Sequence, residues 1–264
     1  MSHRLQNMRV LVTRPTEQAA GLIEQINNAG GHAVSFPTLA IQASADAESM
    51  ARCKFVSGYD WVIFISQNAV RYSLSVLPIT NWPKETLIAA VGPTTSNALQ
   101  QAGLQVNRQP DSSMNSEGLL EKFSAEQLKN KKVLIIRGVG GRETLANSLR
   151  DKGALVDYAE VYSRHCPEHD EKYLAQALEN GIDIVTIASG ETLQNFATII
   201  EHSHLSNKQK QTLYACPLVL VSARIKMLAE QLGFLDTVVV SEPENIGVIK
   251  AIEEWLERSR GDNK

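Results

Sequence analysis

A pattern in the first half of the chain recurs 123 residues later. RVLVTRP at 9–15 returns as KVLIIRG at 132–138, so Arg14 corresponds to Arg137 with a displacement of 137 − 14 = 123. YDWVIFISQNAV corresponds in the same way to IDIVTIASGETL, where Ser66 matches Ser189 and 189 − 66 is again 123. A constant displacement across two separate motifs indicates an internal duplication, which limits the chain to folds built from two similar parts.

The repeated segments alternate between strand and helix patterns. A third pair, LIAAVGPTTSNALQQAG and LVLVSARIKMLAEQLG, extends the repeat, with Gly103 matching Gly233. Continuous apolar runs such as VLVT, WVIFI, VLII and IVTIA are typical of strands buried on both faces, hence of parallel sheets covered by helices. The sequence therefore predicts an α/β protein made of two flavodoxin-like, doubly wound parallel-sheet domains with a binding cleft between them.

The duplication alone does not decide which strands share a sheet. A simple tandem arrangement places 1–125 in one domain and 126–264 in the other. An exchanged arrangement makes 45–160 one contiguous domain and joins 1–37 to 168–264. The chain would then cross in the segments 38–49 and 163–172, and the pattern of residues favours neither arrangement.

Composition excludes several classes of function. At a net charge of −3 nucleic acid is not the default partner, because that role usually needs a basic face. A total this close to neutral still allows a local basic cleft for an anionic small molecule. The first residues lack the apolar core of a secretory signal, and no apolar run approaches the ~20 residues of a membrane span. The three cysteines, Cys53, Cys166 and Cys216, are far apart and odd in number. This usage is typical of the reducing cytoplasm and argues against a disulfide framework.

Small polar residues follow three of the predicted strands, at the turn into the next helix. In open parallel sheets, ligands bind beyond the carboxyl ends of the strands, where helix N-termini present free N–H groups. The candidate anion ligands in these turns are Ser66, Asn68, Gly92, Thr94, Thr95, Ser189 and Gly190. Ser, Thr and Asn are also ordinary N-cap residues, so a purely structural role stays open for each turn.

Arg137 and its duplicate Arg14 are candidates for binding carboxylates. Arg137 and Gly138 open RGVGGRETL, a glycine-rich loop that has neither the spacing GxGxxG nor the GK[ST] of a phosphate loop. A nucleotide is therefore not expected. A solvated or structurally paired arginine is the alternative for both positions.

No catalytic triad or metal set is evident. His165, Cys166 and His169 form HCxxH without completing a tetrahedral site, so we expect no metal. There is no GxSxG nucleophile motif and no clear pair of catalytic carboxylates. Tyr162 ends the apolar run VDYAEVY, where its phenol lies either in the core or beside the cleft.

VLVTRP, FISQNAV, AAVGPTTSNALQQAG, IIRGVGGRETLANSLRDKGALVDYAEVY and TIASGETLQNF occur in this order along nearly the whole chain. This set resembles the uroporphyrinogen-III synthase family. The resemblance implies the exchanged arrangement, with one contiguous domain at 42–160 and a discontinuous domain at 1–37 plus 168–264. A two-stranded linker at about 38–41 and 161–167 would join them.

The resemblance also implies a function and roles for residues. The family converts the linear polycarboxylate tetrapyrrole hydroxymethylbilane to uroporphyrinogen III, with loss of water, inversion of the last pyrrole ring and no cofactor. Tyr162 would assist departure of the hydroxyl, while Ser66, Thr95 and Ser189 would line the cleft. Family members often carry a Gly-x-x-Thr-like turn where this chain has Val221-Ser222-Ala223-Arg224, so Ser222 is the candidate replacement.

The resemblance implies a cytoplasmic monomer without a membrane or nucleic-acid partner, in transient contact with the preceding enzyme of its pathway. Two alternatives stay open. A two-lobed small-anion binding protein would share the architecture, although such proteins are normally exported. A non-catalytic homologue acting as a scaffold would share the sequence pattern.

Overall fold

The structure is a computed structural model, which describes residues 4–111, 113–168, 171–242 and 244–261. Its strands, in chain order, are β1 (Arg9–Val12), β2 (His32–Ser35), β3 (Ala40–Ala43), β4 (Trp61–Phe64), β5 (Leu87–Ala90), β6 (Lys132–Gly138), β7 (Leu155–His165), β8 (Ile184–Ile187), β9 (Leu218–Leu220) and β10 (Thr237–Val239).

The α-helices are α1 (Thr16–Asn28), α2 (Ala47–Lys54), α3 (Gln67–Val76), α4 (Pro93–Gln101), α5 (Ser116–Leu120), α6 (Ala125–Leu128), α7 (Thr144–Asp151), α8 (Glu171–Glu179), α9 (Gly190–His202), α10 (Asn207–Ala215), α11 (Ala223–Gln231) and α12 (Asn245–Gly261). Short 3-10 turns occupy Val56–Gly58 and Ile79–Asn81. His169, the last residue of the HCxxH motif, lies outside the described residues.

The chain divides into two compact units. The central unit comprises residues 41–164, and the terminal unit comprises residues 1–40 and 165–264. The chain therefore passes from one unit to the other twice, after Ala40 and after Arg164. Each unit contains one five-stranded sheet.

The sheet of the central unit has the strand order β3-β7-β6-β4-β5. β4 lies parallel to both β5 and β6, with Trp61 opposite Leu87 and Val133. Numbered along the chain from β4 to β7, the order is 2-1-3-4, the beginning of the flavodoxin-like order. The predicted α/β class with parallel sheets is confirmed.

The sheet of the terminal unit has the order β10-β9-β8-β1-β2. β1 pairs in parallel with β8, with Val10 opposite Ile184 and Val12 opposite Thr186. These two strands are 174 residues apart in sequence at the first of these pairs (184 − 10). The first strand of the chain and the strands of the last third thus form one sheet.

Both faces of each sheet are buried, which explains the continuous apolar runs. In the central unit, Val62 and Phe64 of β4 pack into one core cluster. Trp61 and Ile63, which point to the other side of the sheet, pack into a second cluster. Successive residues of a strand face opposite sides, so a strand with helices on both faces needs apolar residues at every position.

The repeated helices α1 and α7 end at equivalent glycines. Gly30 and Gly153 have φ of 86° and 92°, a left-handed conformation in which a side chain is strained. Glycine at this position stops the helix and turns the chain into the next strand. The two glycines are 123 residues apart (153 − 30), the displacement of the repeat.

Candidate active site at the carboxyl edges of the sheets

Three segments with candidate residues meet one edge of the central sheet. Ser66 follows β4, Gly92 follows β5, and Gly138 ends β6. Because these strands are parallel, their carboxyl ends lie along the same edge. The connections from β4 and β6 run in opposite directions along the sheet, and such a switch point is where ligands bind in open α/β sheets.

Ser66 and Tyr162 are hydrogen-bonded at this switch point. The Ser66 Oγ and the Tyr162 hydroxyl lie 3.1 Å apart, and either group can be the donor. Ser66 is also the N-cap of α3, where its Oγ accepts a hydrogen bond from the Ala69 N–H at 3.1 Å. The two side chains are 96 residues apart in sequence, so the fold brings them together.

The Tyr162 ring is buried, with a residue exposure of 5%. It stacks on the Tyr72 ring at a centroid distance of 5.8 Å and an interplanar angle of 26°. It also lies so close to Gly138 that a Cβ there would be 2.5 Å from the Tyr162 Cε2. The register between β6 and β7 shifts between Arg137 and Gly138, which brings Gly138 opposite Tyr162.

This geometry can supply a proton or a hydrogen bond. If the Ser66 hydroxyl donates to the Tyr162 oxygen, the phenolic proton remains available for an acceptor on a ligand. Ser66 can adopt this role because its lone pair already accepts from the Ala69 N–H, leaving its own hydrogen free to point at the phenol. The sequence placed Tyr162 either in the core or beside a site; its ring lies in the core and its hydroxyl meets a predicted site residue.

Arg137 lies at the same end of β6 but is already held by neighbouring groups. Its guanidinium bonds to Glu160 Oε1 at 2.9 Å and to Glu143 Oε1 at 3.0 Å. It also lies over the Tyr158 ring, 3.6 Å from the centroid. The residue is only 7% exposed. Arg137 also donates to the Gly141 carbonyl oxygen and so holds the glycine-rich loop. In this conformation it is a structurally paired arginine.

Glu143 completes this cluster. The Tyr158 hydroxyl donates to Glu143, and this bond, followed by the bond from Arg137, lowers the pKa of the Glu143 carboxyl below its ordinary value. Burial and the same bond to Glu143 raise the pKa of Tyr158. The carboxylate is therefore held in its charged form, facing the guanidinium.

The other predicted residues of the central unit differ in exposure. Gly92 is the N-cap of α4 and has no side chain to cap it. Thr95 is buried, Thr94 is exposed, and Asn68 is half-buried in the first turn of α3. Thr94 and Asn68 are thus more accessible to a ligand than Thr95.

The terminal unit repeats the arrangement with different partners. Ser189 caps α9, accepting from the Thr192 N–H at 3.0 Å, and its Oγ lies 2.7 Å from the Thr192 Oγ1. Gly190, half-buried, is the first residue of α9. Ser222 has the N-cap position of α11 without a side-chain capping bond, so its hydroxyl is not used by its own helix.

Arg14 follows β1, beside β8, at the switch point of the terminal sheet. Its guanidinium donates to the Asn245 Oδ1 at 2.7 Å. Burial lowers its pKa from the ordinary arginine value. Among the described residues, Arg14 and Ser189 lie at the carboxyl edge of the terminal sheet. Ser66, Gly138 and Tyr162 lie together at the carboxyl edge of the central sheet.

Sequence reasoning missed Tyr72, whose ring contacts Tyr162. It lies on α3 one position before the buried Ser73, and helical spacing alone would have placed it only near the inner face. The described residues contain no group of three or more His, Cys, Asp or Glu side chains arranged to hold a metal ion. In the same part of the chain, no helix combines the length and apolar character needed to cross a membrane.

The three cysteines lie apart from these residues and are free thiols. Burial raises the pKa of Cys53 to about 11, and the pKa of Cys216 rises to about 12 for the same reason, helped by two aspartates. Cys166 is exposed. None of the three contributes to the candidate site.

The fold and the site define a class: duplicated, doubly wound α/β proteins with polar turns at the carboxyl edges of their sheets. The family model of uroporphyrinogen-III synthase HemD matches residues 20–250. The uroporphyrinogen-III synthases of Salmonella typhimurium and Escherichia coli are each 30% identical to this chain, over 93% of it and 100% of their own length. The chain belongs to the uroporphyrinogen-III synthase family.

Solved structures show the same fold. A mutant uroporphyrinogen III synthase of Thermus thermophilus superposes with a TM-score of 0.61 at 15% identity, covering 95% of this chain and 99% of that one. The Helicobacter pylori enzyme gives a TM-score of 0.60 at 14% identity, covering 94% and 99%. At these identities the similarity concerns the fold.

Proposed function

We propose that this chain catalyses the cyclisation of hydroxymethylbilane to uroporphyrinogen III, with loss of water and inversion of the last pyrrole ring. Family membership over residues 20–250 supports the reaction. The observation that carries the proposal into this structure is the hydrogen bond between Ser66 and Tyr162 at the switch point of the central sheet.

The reaction needs one proton for the departing hydroxyl and a protein that holds the last pyrrole ring in place. The phenol of Tyr162 supplies its proton to the departing hydroxyl, which leaves as water and gives an electrophilic azafulvenium cation beside the phenolate. The substituted α-carbon of the last ring then attacks, giving a spiro intermediate that rearranges and closes the ring. The proton released when the final pyrrole regains aromaticity restores the phenol, so that the net change is the loss of one water.

Positioning decides which isomer forms. The substrate closes by itself to the uninverted isomer I, so the protein must hold the last ring where its substituted carbon reacts first. Orientation of this kind can supply several kcal/mol of the barrier, or more. This division of work explains how the reaction can be directed without a catalytic triad.

We propose that the polar turns of both sheets bind the eight carboxylates of the substrate. Ser222 supports this best, because its hydroxyl makes no capping bond to its own helix. Half-buried Arg14 donates to the neutral amide of Asn245, which a carboxylate could replace. Binding by Arg137 requires displacement of Glu143, the more exposed of its two carboxylate partners. The remaining candidates are Asn68, Gly92, Thr94, Thr95, Gly138, Ser189 and Gly190.

The test supplies the purified protein with hydroxymethylbilane, oxidises the products and separates the porphyrin isomers by chromatography. Isomer III well above the level of a protein-free control is expected. Isomer I alone would exclude the proposed activity and favour a non-catalytic homologue. Tyr162→Phe should lower kcat by roughly ten-fold to a hundred-fold while the residual enzymatic product stays mostly isomer III.

Salt dependence tests the binding part of the proposal. Screening weakens the attraction between a polyanion and exposed cationic or dipolar groups, so KM should rise between roughly 20 and 500 mM salt. A KM that stays constant over that range would mean that these groups contribute little to binding.

We further propose a monomer acting in the cytoplasm, in transient contact with the enzyme that supplies hydroxymethylbilane. The free state of the three cysteines fits a reducing compartment. The spontaneous closure of the substrate favours direct transfer over diffusion through solution. Light scattering tests the monomer, and a shortened lag in a coupled assay tests the contact.

A further inference from the structure

The environment of Tyr162 contains a second tyrosine whose role the proposed reaction does not use. Tyr72 lies on α3, the helix that Ser66 caps, and its ring stacks on the Tyr162 ring. Its hydroxyl donates to the Ile41 carbonyl oxygen at 2.8 Å. Ile41 is the first residue of the central unit after the chain enters it.

The contacts of Tyr162 leave its phenol little freedom. Gly138 lies against the ring edge near Cε2 and Cζ, where even a methyl group would collide. Tyr72 covers the ring by offset stacking, and Ser66 holds the hydroxyl. A ring held by three groups cannot swing without displacing one of them. Protein interiors are close-packed and resist such displacement.

Tyr72 is itself fixed at both ends. Its backbone belongs to α3, and its hydroxyl is tied to the backbone of β3. An aromatic ring with both ends fixed is a better stop for a neighbouring ring than an aliphatic side chain, because its orientation is set by two attachments. Stacked aromatic pairs contribute about 0.5–1.5 kcal/mol beyond the area that they bury.

We propose that Tyr72 is the positioning residue for Tyr162: its ring, anchored on the Ile41 carbonyl, holds the phenol at Ser66. This inference rests on the proposed function, in which Tyr162 gives the proton. Tyr72 touches neither substrate nor reacting atoms in this role and acts only through Tyr162.

A double-mutant cycle tests whether Tyr72 acts through Tyr162. Tyr72→Leu removes the ring and should lower kcat about ten-fold, as expected for a misplaced catalytic group, with KM within about two-fold. Tyr72→Phe keeps the ring, loses the bond to Ile41 and should lower kcat only about two-fold to three-fold. In a Tyr162→Phe background, Tyr72→Leu should cost less than about two-fold more, since the group that it positions is gone.

The matched control is Tyr59. This residue packs against the same core cluster and donates its hydroxyl to Asp157 at 3.0 Å, away from Tyr162. Tyr59→Leu should lower the melting temperature while leaving kcat within about two-fold of wild type. Equal losses of kcat for Tyr72→Leu in both backgrounds would overturn the inference, because a merely structural residue gives additive effects.

A second readout does not depend on activity. Protein labelled with 13C at the tyrosine Cζ gives one resonance for each of the six tyrosines, and Tyr162→Phe identifies that of Tyr162. Tyr72→Phe, the variant that best preserves packing, should shift or broaden the Tyr162 resonance, whereas Tyr59→Phe should not. An unchanged resonance would refute the positioning role even if wild type proved inactive, while failure to form isomer III would count against the proposed function alone.

Discussion

Ser66 in the central unit and Ser189 in the terminal unit occupy equivalent turns with nearly the same backbone. Their φ and ψ are −161° and 162° for Ser66, and −156° and 161° for Ser189. Each caps the following helix by accepting from a backbone N–H three residues on. The other contact differs: Ser66 meets the Tyr162 phenol, whereas Ser189 meets the hydroxyl of Thr192 in its own helix.

The duplicated arginines differ in the same way. Arg137 is bonded to two carboxylates and stacked on Tyr158, while Arg14 is bonded to the amide of Asn245. The duplication thus preserved the backbone turns, and the side chains that reach them from other elements diverged. In the central unit the turn meets a tyrosine hydroxyl and the arginine belongs to a charged cluster. In the terminal unit the serine contacts stay within its own helix, and the arginine bonds to an amide.

The largest expected difference between the units concerns these arginines. Arg137→Met should lower the free energy of unfolding by about 3 kcal/mol, because it leaves two carboxylates and an aromatic face without their cation. Arg14→Met should cost about 1 kcal/mol, as for one hydrogen bond to a neutral partner. Urea unfolding of the two variants measures both values. Equal losses would show that water solvates the carboxylates of the central unit once the guanidinium is removed, and that the cluster adds no stability.

The strands and turns of this comparison could be predicted from sequence, but the side-chain partners of the turns could not. The apolar runs at 61–64 and 133–136 predicted buried strands, and the constant displacement predicted equivalent turns at Ser66 and Ser189. Local patterns determine such features because they depend on burial and on residues close in sequence.

The partners of these turns could not be predicted from the same signals. The bond from Ser66 to Tyr162 spans 96 residues, and that from Arg14 to Asn245 spans 231. Both sheet arrangements fitted the repeat equally well, because exchanging equivalent strands changes no local pattern. The contacts of Glu160 with Arg137 and of Tyr72 with Tyr162 depend on the pairing of β7 with β6 and on the packing of the Tyr162 ring against α3. Neither contact can be predicted from residues close in sequence.

The second prediction compares two glycines at the sheet edges. Gly138→Ala should destabilise the chain by about 2 kcal/mol, since the new methyl group would overlap the Tyr162 ring, which its contacts hold in place. In the terminal unit, an added Cβ at Gly190 meets only the flexible end of Leu228 at 3.3 Å. Gly190→Ala should therefore change stability by less than about 0.5 kcal/mol, helped by the preference of alanine for helices. Thermal unfolding of both variants measures these changes in stability. A Gly138→Ala variant with wild-type stability and full activity would mean that the phenol tolerates displacement.

The third prediction separates capping from chemistry at the two serines. Ser66→Ala and Ser189→Ala should each cost about 1 kcal/mol of stability, the usual loss for an N-cap. Only Ser66→Ala should also lower kcat, by about five-fold to ten-fold, because only this serine orients a phenol. Steady-state kinetics beside urea unfolding measures both effects. A comparable fall of kcat in Ser189→Ala would mean that the terminal unit takes part in the chemical step as well.

The smallest expected effect is a difference in pH dependence. The pKa of Glu143 is lowered in the folded protein, first by the bond from Tyr158 and then by Arg137. A carboxyl with a lowered folded pKa contributes stability that is fully present above its unfolded pKa and is lost as the pH falls through the folded value. Asn245, the partner of Arg14, does not titrate, and the guanidinium stays protonated throughout the acid range.

Glu143→Gln should therefore be less stable than wild type at about pH 6, and the difference should shrink as the pH approaches about 3. The loss caused by Arg14→Met should stay constant over the same range. Glu143 is well exposed, so its effect should be small, and each pair of variants is best compared in one buffer series at constant ionic strength. If the Glu143→Gln difference did not depend on pH, the bonds to Glu143 would be no stronger with the charged carboxylate than with the protonated carboxyl. The central arginine would then be held by packing on Tyr158, and the two units would differ in the shape around their arginines instead of in charge.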